Sequence, residues 1–139
     1  LIVPPLHPWA KKKNVSIAEI AKEPFIFREE GSGTRQVIEK YLERHKITPQ
    51  DMMISLMLGS TEAIKESVES GMGVAILSRW AIRKELKYGT LKPLGFKDEK
   101  MLRDFSLIFQ KNAISSHAVD EFLSYLKAYP FDRLLSLSE

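Results

Sequence analysis

The chain has 139 residues, 44% hydrophobic and 28% charged, the proportions of an ordinary folded domain. Its 21 basic and 18 acidic residues leave +3, too small an excess to argue for nucleic-acid binding, and Lys11-Lys12-Lys13 reads as a solvated loop. Cysteine is absent, which excludes disulfides and thiolate metal sites, and no apolar run approaches the roughly 20 residues that span a bilayer.

Leu1-Ile2-Val3 is strand-like, with neither an initiator Met nor a basic segment before an apolar one. The opening is therefore expected to be a strand entered midway, in a fragment of a longer protein, and not a signal peptide. Ser16 and Glu19 have capping-box spacing, predicting a short helix through Lys22 that Pro24 ends. Phe25 to Arg28 reads as a buried strand, and a helix follows from about Gly33 to His45. Met53 to Leu58 is a second predicted strand. Gly59-Ser60 opens a helix whose Ala63, Ile64 and Val68 keep helical spacing up to Gly71. Val74 to Leu77 reads as a short buried strand. Ser78 is the expected cap of a helix with Trp80, Ile82 and Leu86 inward and Gly89 closing it. Leu91 to Leu94 is a strand expected at an edge because of Pro93, and 95–104 reads as a polar loop. Phe105 to Gln110 is a strong strand, and Ser115 or Ser116 caps a last helix that ends before Pro130. Strands alternate with helices and are apolar throughout. The expected fold is α/β, with a mostly parallel sheet covered on both faces.

Ligands bind such sheets at the C-terminal ends of strands, where two glycine-hydroxyl turns fall, Gly31 to Thr34 and Gly59 to Thr61. At the first, the helix start offers unpartnered N–H groups and a positive dipole end, the setting of an anion site. Ser32, Gly33, Thr34 and Arg35 are the primary candidates, with Arg35 pairing to the anion. On that reading, removing Arg35 weakens binding by roughly 1.5–3 kcal/mol. The plainer reading makes Ser32 or Thr34 an N-cap worth about 1 kcal/mol, and Arg35 a solvated first-turn residue. Ser60 and Thr61 divide in the same way between binding and capping. Glu30 either orients Arg35, donates to a ligand when protonated, or is simply exposed.

His7, His45 and His117 are too dispersed to form a metal triad, so no metal ligands are assigned. Gly-x-Ser-x-Gly is absent, Gly71-Met72-Gly73 lacks the rest of a dinucleotide fingerprint, and no paired carboxylates appear at workable spacing. No catalytic residue and no cofactor are expected. Gly71 and Gly73 fit a tight turn, and the five Met residues are expected to fill core space.

Three pieces in this order resemble the effector-binding domain of LysR-type transcriptional regulators. They are Pro5-Leu6-His7-Pro8-Trp9-Ala10, then Glu23-Pro24-Phe25-Ile26 with Glu30-Gly31-Ser32-Gly33-Thr34-Arg35, then Ser67 to Leu77 with its Gly71-Met72-Gly73-Val74 centre. The resemblance runs from Leu1 to about Leu135. It implies a type II periplasmic-binding-protein-like fold, two α/β lobes joined by crossing strands with the effector in the cleft. On that template 1–139 is a partial effector-binding domain. Residues about 10–103 form a nearly complete second lobe, and 1–9 and 104–139 supply the crossing strands and the remnant of the first lobe. The family's winged helix-turn-helix, linker helix and most of its first lobe have no counterpart here. The resemblance further implies a cytoplasmic regulator sensing a small anionic metabolite, with no membrane partner. It implies a homodimer of the effector domain, a tetramer at full length, and DNA contact only through the absent N-terminal domain. A solute-binding protein of an oxyanion transporter is the alternative, and an enzyme built on this fold is a third reading.

Overall fold

Residues 1–104, 106, 108 and 116–131 are described by the structure, a computed structural model. They divide into two compact units, Leu1–Arg103 and Asp104–Glu139. No described helix is long and apolar enough to cross a membrane.

In the first unit, side chains alternate across strands, and that alternation builds two cores. The strands are β1 (Ile2–Val3), β2 (Asn14–Val15), β3 (Phe25–Arg28), β4 (Ile54–Leu58), β5 (Lys92–Pro93) and β6 (Gly95–Phe96). Phe25 and Phe27 enter a core with Val3 and Val74, whereas Ile26 joins Ile2 and Ala75 in the other. Helices α1 (Ile17–Ile20) and α2 (Gly33–Arg44) cover the first core through Ile17, Ile20, Ile38, Tyr41 and Leu42. Helix α3 (Thr61–Glu69) covers the second through Ile64 and Val68. A 3-10 turn (Arg79–Ile82) leading into α4 (Arg83–Tyr88) adds Ile82 to the same core, with Leu86 packed against it.

β3 and β4 are parallel, as are β2 and β6, while β1 runs antiparallel to β5. Val74 bridges to Phe25 in parallel and Ala75 bridges to Ile2 antiparallel, so this segment lies between β3 and β1. Two of the three strand pairs are thus parallel, and antiparallel pairing enters through β1. The strand expected over Val74 to Leu77 shrinks to these two bridged residues, because the chain turns at Ser78 into the 3-10 turn. Pro93 lies at an edge, as expected, since among the described residues β5 pairs with β1 alone. It pairs opposite Ile2, and the chain then changes partner so that Gly95 and Phe96 lie beside β2. A residue without an N–H is tolerated at such a switch of partners. The stretch read as a polar loop from 95 therefore begins as β6.

β4 is not covered on both faces. Ser55 and Met57 are exposed along it, and Met53 and Met72 are also exposed, leaving Met52 as a core methionine. Met101 packs partly buried against that core. The capping box at Ser16 is present in full, with the Ser16 hydroxyl accepting from Glu19 N–H and the Glu19 carboxylate accepting from Ser16 N–H. The Lys11 to Lys13 stretch is exposed, and Lys12 pairs with Glu19 at 3.0 Å. Gly73 has φ +154°, and a Cβ there would collide with the Pro24 carbonyl, so the close approach of this turn to β3 requires glycine.

Lys65 on α3 is a charge inside the fold that sequence patterning does not reveal. Its ammonium donates to Glu85 Oε1 at 2.8 Å and to the Ala81 carbonyl at 3.3 Å, and pairs with Glu62 at 2.7 Å. Burial pulls its pKa down, but the two carboxylates outweigh burial and the net shift is upward.

In the second unit, α5 (His117–Ala128) starts at Ser116, whose hydroxyl accepts from Val119 N–H at 3.4 Å. Val119, Phe122 and Tyr125 are exposed on it. The strand expected over 105–110 falls largely outside the described residues.

Candidate functional site

Parallel pairing of β3 with β4 puts the strand ends Arg28 and Leu58 opposite one another, so their following turns leave the sheet side by side. Glu29 N–H donates to the Leu58 carbonyl at 3.2 Å and holds the two exits together. In the first turn Gly31 takes φ +84°, a left-handed value that favours glycine, and α2 begins two residues later. Ser32 stands at the N-cap, 9% exposed, with no side-chain capping bond. The N–H groups of Gly33, Thr34 and Arg35 lie in the first turn of the twelve-residue α2, where no intrahelical acceptor exists. A Cβ on Gly33 would lie 3.8 Å from Arg103 Nη1, so this guanidinium also borders the helix start.

In the second turn, Ser60 is a cap: its hydroxyl accepts from Ala63 N–H at 3.4 Å. Thr61 Oγ1 accepts from Arg28 Nη1 at 3.0 Å. The same guanidinium donates through Nε and Nη2 to the two oxygens of Glu29, at 2.8 and 2.9 Å, and through Nη2 to the Gly59 carbonyl at 3.4 Å. This bidentate pair holds the Glu29 carboxyl down at about 2, and raises the Arg28 pKa, with burial opposing in both cases.

Arg35 lies beside the turn but is directed along its own helix. Nε donates to Glu39 at 2.7 Å, Nη1 to the Arg28 carbonyl at 3.3 Å, and the guanidinium stacks over Phe27 at 4.9 Å. Glu30 is exposed and sits 3.7 Å from Arg35 Nη2. The turn that carries the primary candidates Ser32, Gly33, Thr34 and Arg35 thus leaves β3 beside the turn that carries Ser60 and Thr61 after β4, with Glu30 exposed near Arg35.

Arg28, Glu29 and Arg103 were not singled out from sequence. For Arg28 a signal existed: strand alternation places it on the face of Ile26, the face that α3 covers, so its side chain had to meet the α3 turn. The arrangement supplies hydrogen-bond donors around near-neutral charge, since Arg28 is balanced by Glu29 and Arg35 by Glu39. Among the described residues no group of three His, Cys, Asp or Glu could hold a metal. His7 instead accepts from Trp9 N–H, and His45 shares a bond with the Tyr41 carbonyl at 2.8 Å. Two surface grooves lie elsewhere, about 730 Å³ along α2 from Gln36 to Pro49 and about 570 Å³ between Glu62 and Lys87.

The family model described as LysR substrate binding domain matches residues 1–130. The chain belongs to this family. It is 32% identical over 133 residues to the HTH-type transcriptional activator CmpR of Synechocystis sp., covering 96% of this chain and 42% of CmpR. It is 34% identical over 126 residues to a RuBisCO operon transcriptional regulator of Acidithiobacillus ferrooxidans, covering 91% of this chain and 40% of that protein. The chain therefore spans about two fifths of the length of these relatives. The regulatory domain of Synechocystis PCC6803 CcmR, solved in complex with 2-PG, superposes with a TM-score of 0.74 at 32% identity. That match covers 91% of this chain and 60% of the CcmR chain. The LysR family is one of regulators with periplasmic-binding-protein-like effector domains, and these relatives are named as regulators, not enzymes.

Proposed function

We propose that this chain is the sensing part of a LysR-type bacterial transcription regulator and holds a small anionic metabolite against the paired turns. The supporting observation is the side-by-side exit of the two turns from β3 and β4, with the first-turn N–H groups of α2 left uncapped by Ser32 and the Thr61 hydroxyl bonded to Arg28 at the end of β3. Ser32, Gly33 and Thr34 supply donors to the anion, Ser60 and Thr61 form the neighbouring edge, and Glu30 and Arg35 shape the rim. The complex of the CcmR regulatory domain with 2-PG supports a small-molecule effector here. Residues about 10–103 correspond to the second lobe, and 1–9 with 104–139 to the crossing strands and part of the first lobe. The grouping of Leu1–Arg103 as one compact unit supports a boundary near 103.

Effector binding acts on transcription only if affinity differs between two lobe arrangements, since a ligand with equal affinity for both shifts nothing. The whole protein would pair its effector domains, with α2 as one pairing face, assemble as a tetramer, and touch DNA through an N-terminal winged helix-turn-helix in the cytoplasm. Relatives named as transcription regulators favour this over a transport solute-binding protein.

Calorimetry on the full-length regulator with 2-PG, inorganic phosphate and sulfate tests the site. Saturable binding of one of them, weakened about tenfold or more by Ser32→Ala with Thr34→Val, is the expected result. Binding indifferent to both substitutions would remove these turns from the effector site.

A further inference from the structure

Besides the Glu29–Leu58 backbone bond, a side chain joins the two turns, that of Arg28. Its fork reaches Glu29, the next residue in the β3–α2 turn, and across to Gly59 in the β4–α3 turn and Thr61 at the start of α3. Bidentate pairing with both Glu29 oxygens fixes the plane of the guanidinium, which a single contact could not do. The Arg28 side chain is 16% exposed and that of its Glu29 partner 41%, so the cluster lies at the surface with its arginine partly buried. Thr61 Oγ1 accepts from Arg28, which engages one of its lone pairs and leaves its O–H proton for another acceptor.

We propose that Arg28 is a positioning and specificity-determining residue: it locks the β4–α3 turn to the β3–α2 turn and holds the Thr61 hydroxyl as a donor. This rests on the reading that the paired turns bind an anion. A Thr61 hydroxyl with one lone pair already engaged by Arg28, together with the uncapped N–H groups of the α2 start, favours ligands that present acceptors. Arg28 achieves this without adding net charge, because Glu29 cancels it. Lysine cannot take its place, since an ammonium is a point donor without the planar fork that spans both turns.

The test compares Arg28→Lys, Thr61→Val, Thr61→Ser and the double variant Arg28→Lys with Thr61→Val in the full-length regulator. Affinity is read by calorimetry with 2-PG, inorganic phosphate and sulfate. Arg28→Lys and Thr61→Val are each expected to weaken binding about tenfold, and Thr61→Ser to retain it. The double variant should fall no more than about twofold below the weaker single, because both substitutions break one shared bond. Binding by Arg28→Lys within about twofold of the parent, or losses that multiply in the double variant, would overturn the proposal. Should Arg28→Lys not fold, parent-like binding by Thr61→Val overturns it alone. A parent protein that binds none of the probes overturns the anion site and the lock together. Sensitivity to Ser32→Ala and Thr34→Val without sensitivity at Arg28 and Thr61 overturns the lock only.

Discussion

Two arginines frame the β3–α2 turn, and their surroundings assign them different work. Arg35, the one whose place after Gly33-Thr34 draws attention, spends its donors on Glu39 and the Arg28 carbonyl and stacks on Phe27. Arg35→Ala should therefore cost stability, on the order of 1–3 kcal/mol from a charge-assisted hydrogen bond and a ring contact, read as a lower urea midpoint. Its effect on effector affinity, expected from sequence to be direct, should then come through the shape of the rim. Glu29 sets a pH dependence. Its folded pKa of about 2 lies below the ordinary 4.5, so its pairing with Arg28 stabilises the fold fully above 4.5. That contribution is lost as pH falls from there through about 2. Urea unfolding of the parent and of Glu29→Gln should differ at pH 7 and converge near pH 2. A gap that stays constant with pH would show that the pair contributes nothing through ionisation.

Elements bounded by local chemistry were legible. The capping box at Ser16, the apolar run of β3 and the glycine before α2 fixed their positions, since each signal lies within a few residues of what it specifies. Segments whose identity depends on a distant partner were not. The stretch Asn14–Val15 carries no strand pattern of its own and becomes β2 because Gly95 and Phe96 lie alongside. Gly73 is the sharpest local constraint at this scale. A methyl there meets the Pro24 carbonyl at a strained φ, so Gly73→Ala should destabilise by about 3 kcal/mol in chemical denaturation. Lys65 ties α3 to the segment carrying α4. Lys65→Ala leaves Glu85, already with one buried unpartnered oxygen, without its ammonium, and should cost about 3–5 kcal/mol. Replacing both partners, as Lys65→Met with Glu85→Leu, should recover most of that loss, and a double variant as unstable as the single would argue against the pairing.

For the whole molecule, the parallel pairing of β3 with β4 explains why the two glycine-hydroxyl turns are neighbours. Parallel β3 and β4 send both chain exits to the same edge, and the helices that follow start there. Effector binding should then stabilise the folded protein, by about 2.7 kcal/mol at a concentration 100 times Kd. A thermal-shift series with 2-PG on the full-length regulator measures this, and an unmoved midpoint at saturating 2-PG would exclude it as the effector. By itself the sequence determined the α/β alternation, the family and the position of the glycine-hydroxyl turns, because each is written in consecutive residues. Tertiary structure alone decided that Val74 and Ala75 join β3 to β1 and that Arg28 bridges the two turns. Those outcomes depend on which strands become neighbours, and strand neighbours are chosen by burial of the whole chain, not by any local run.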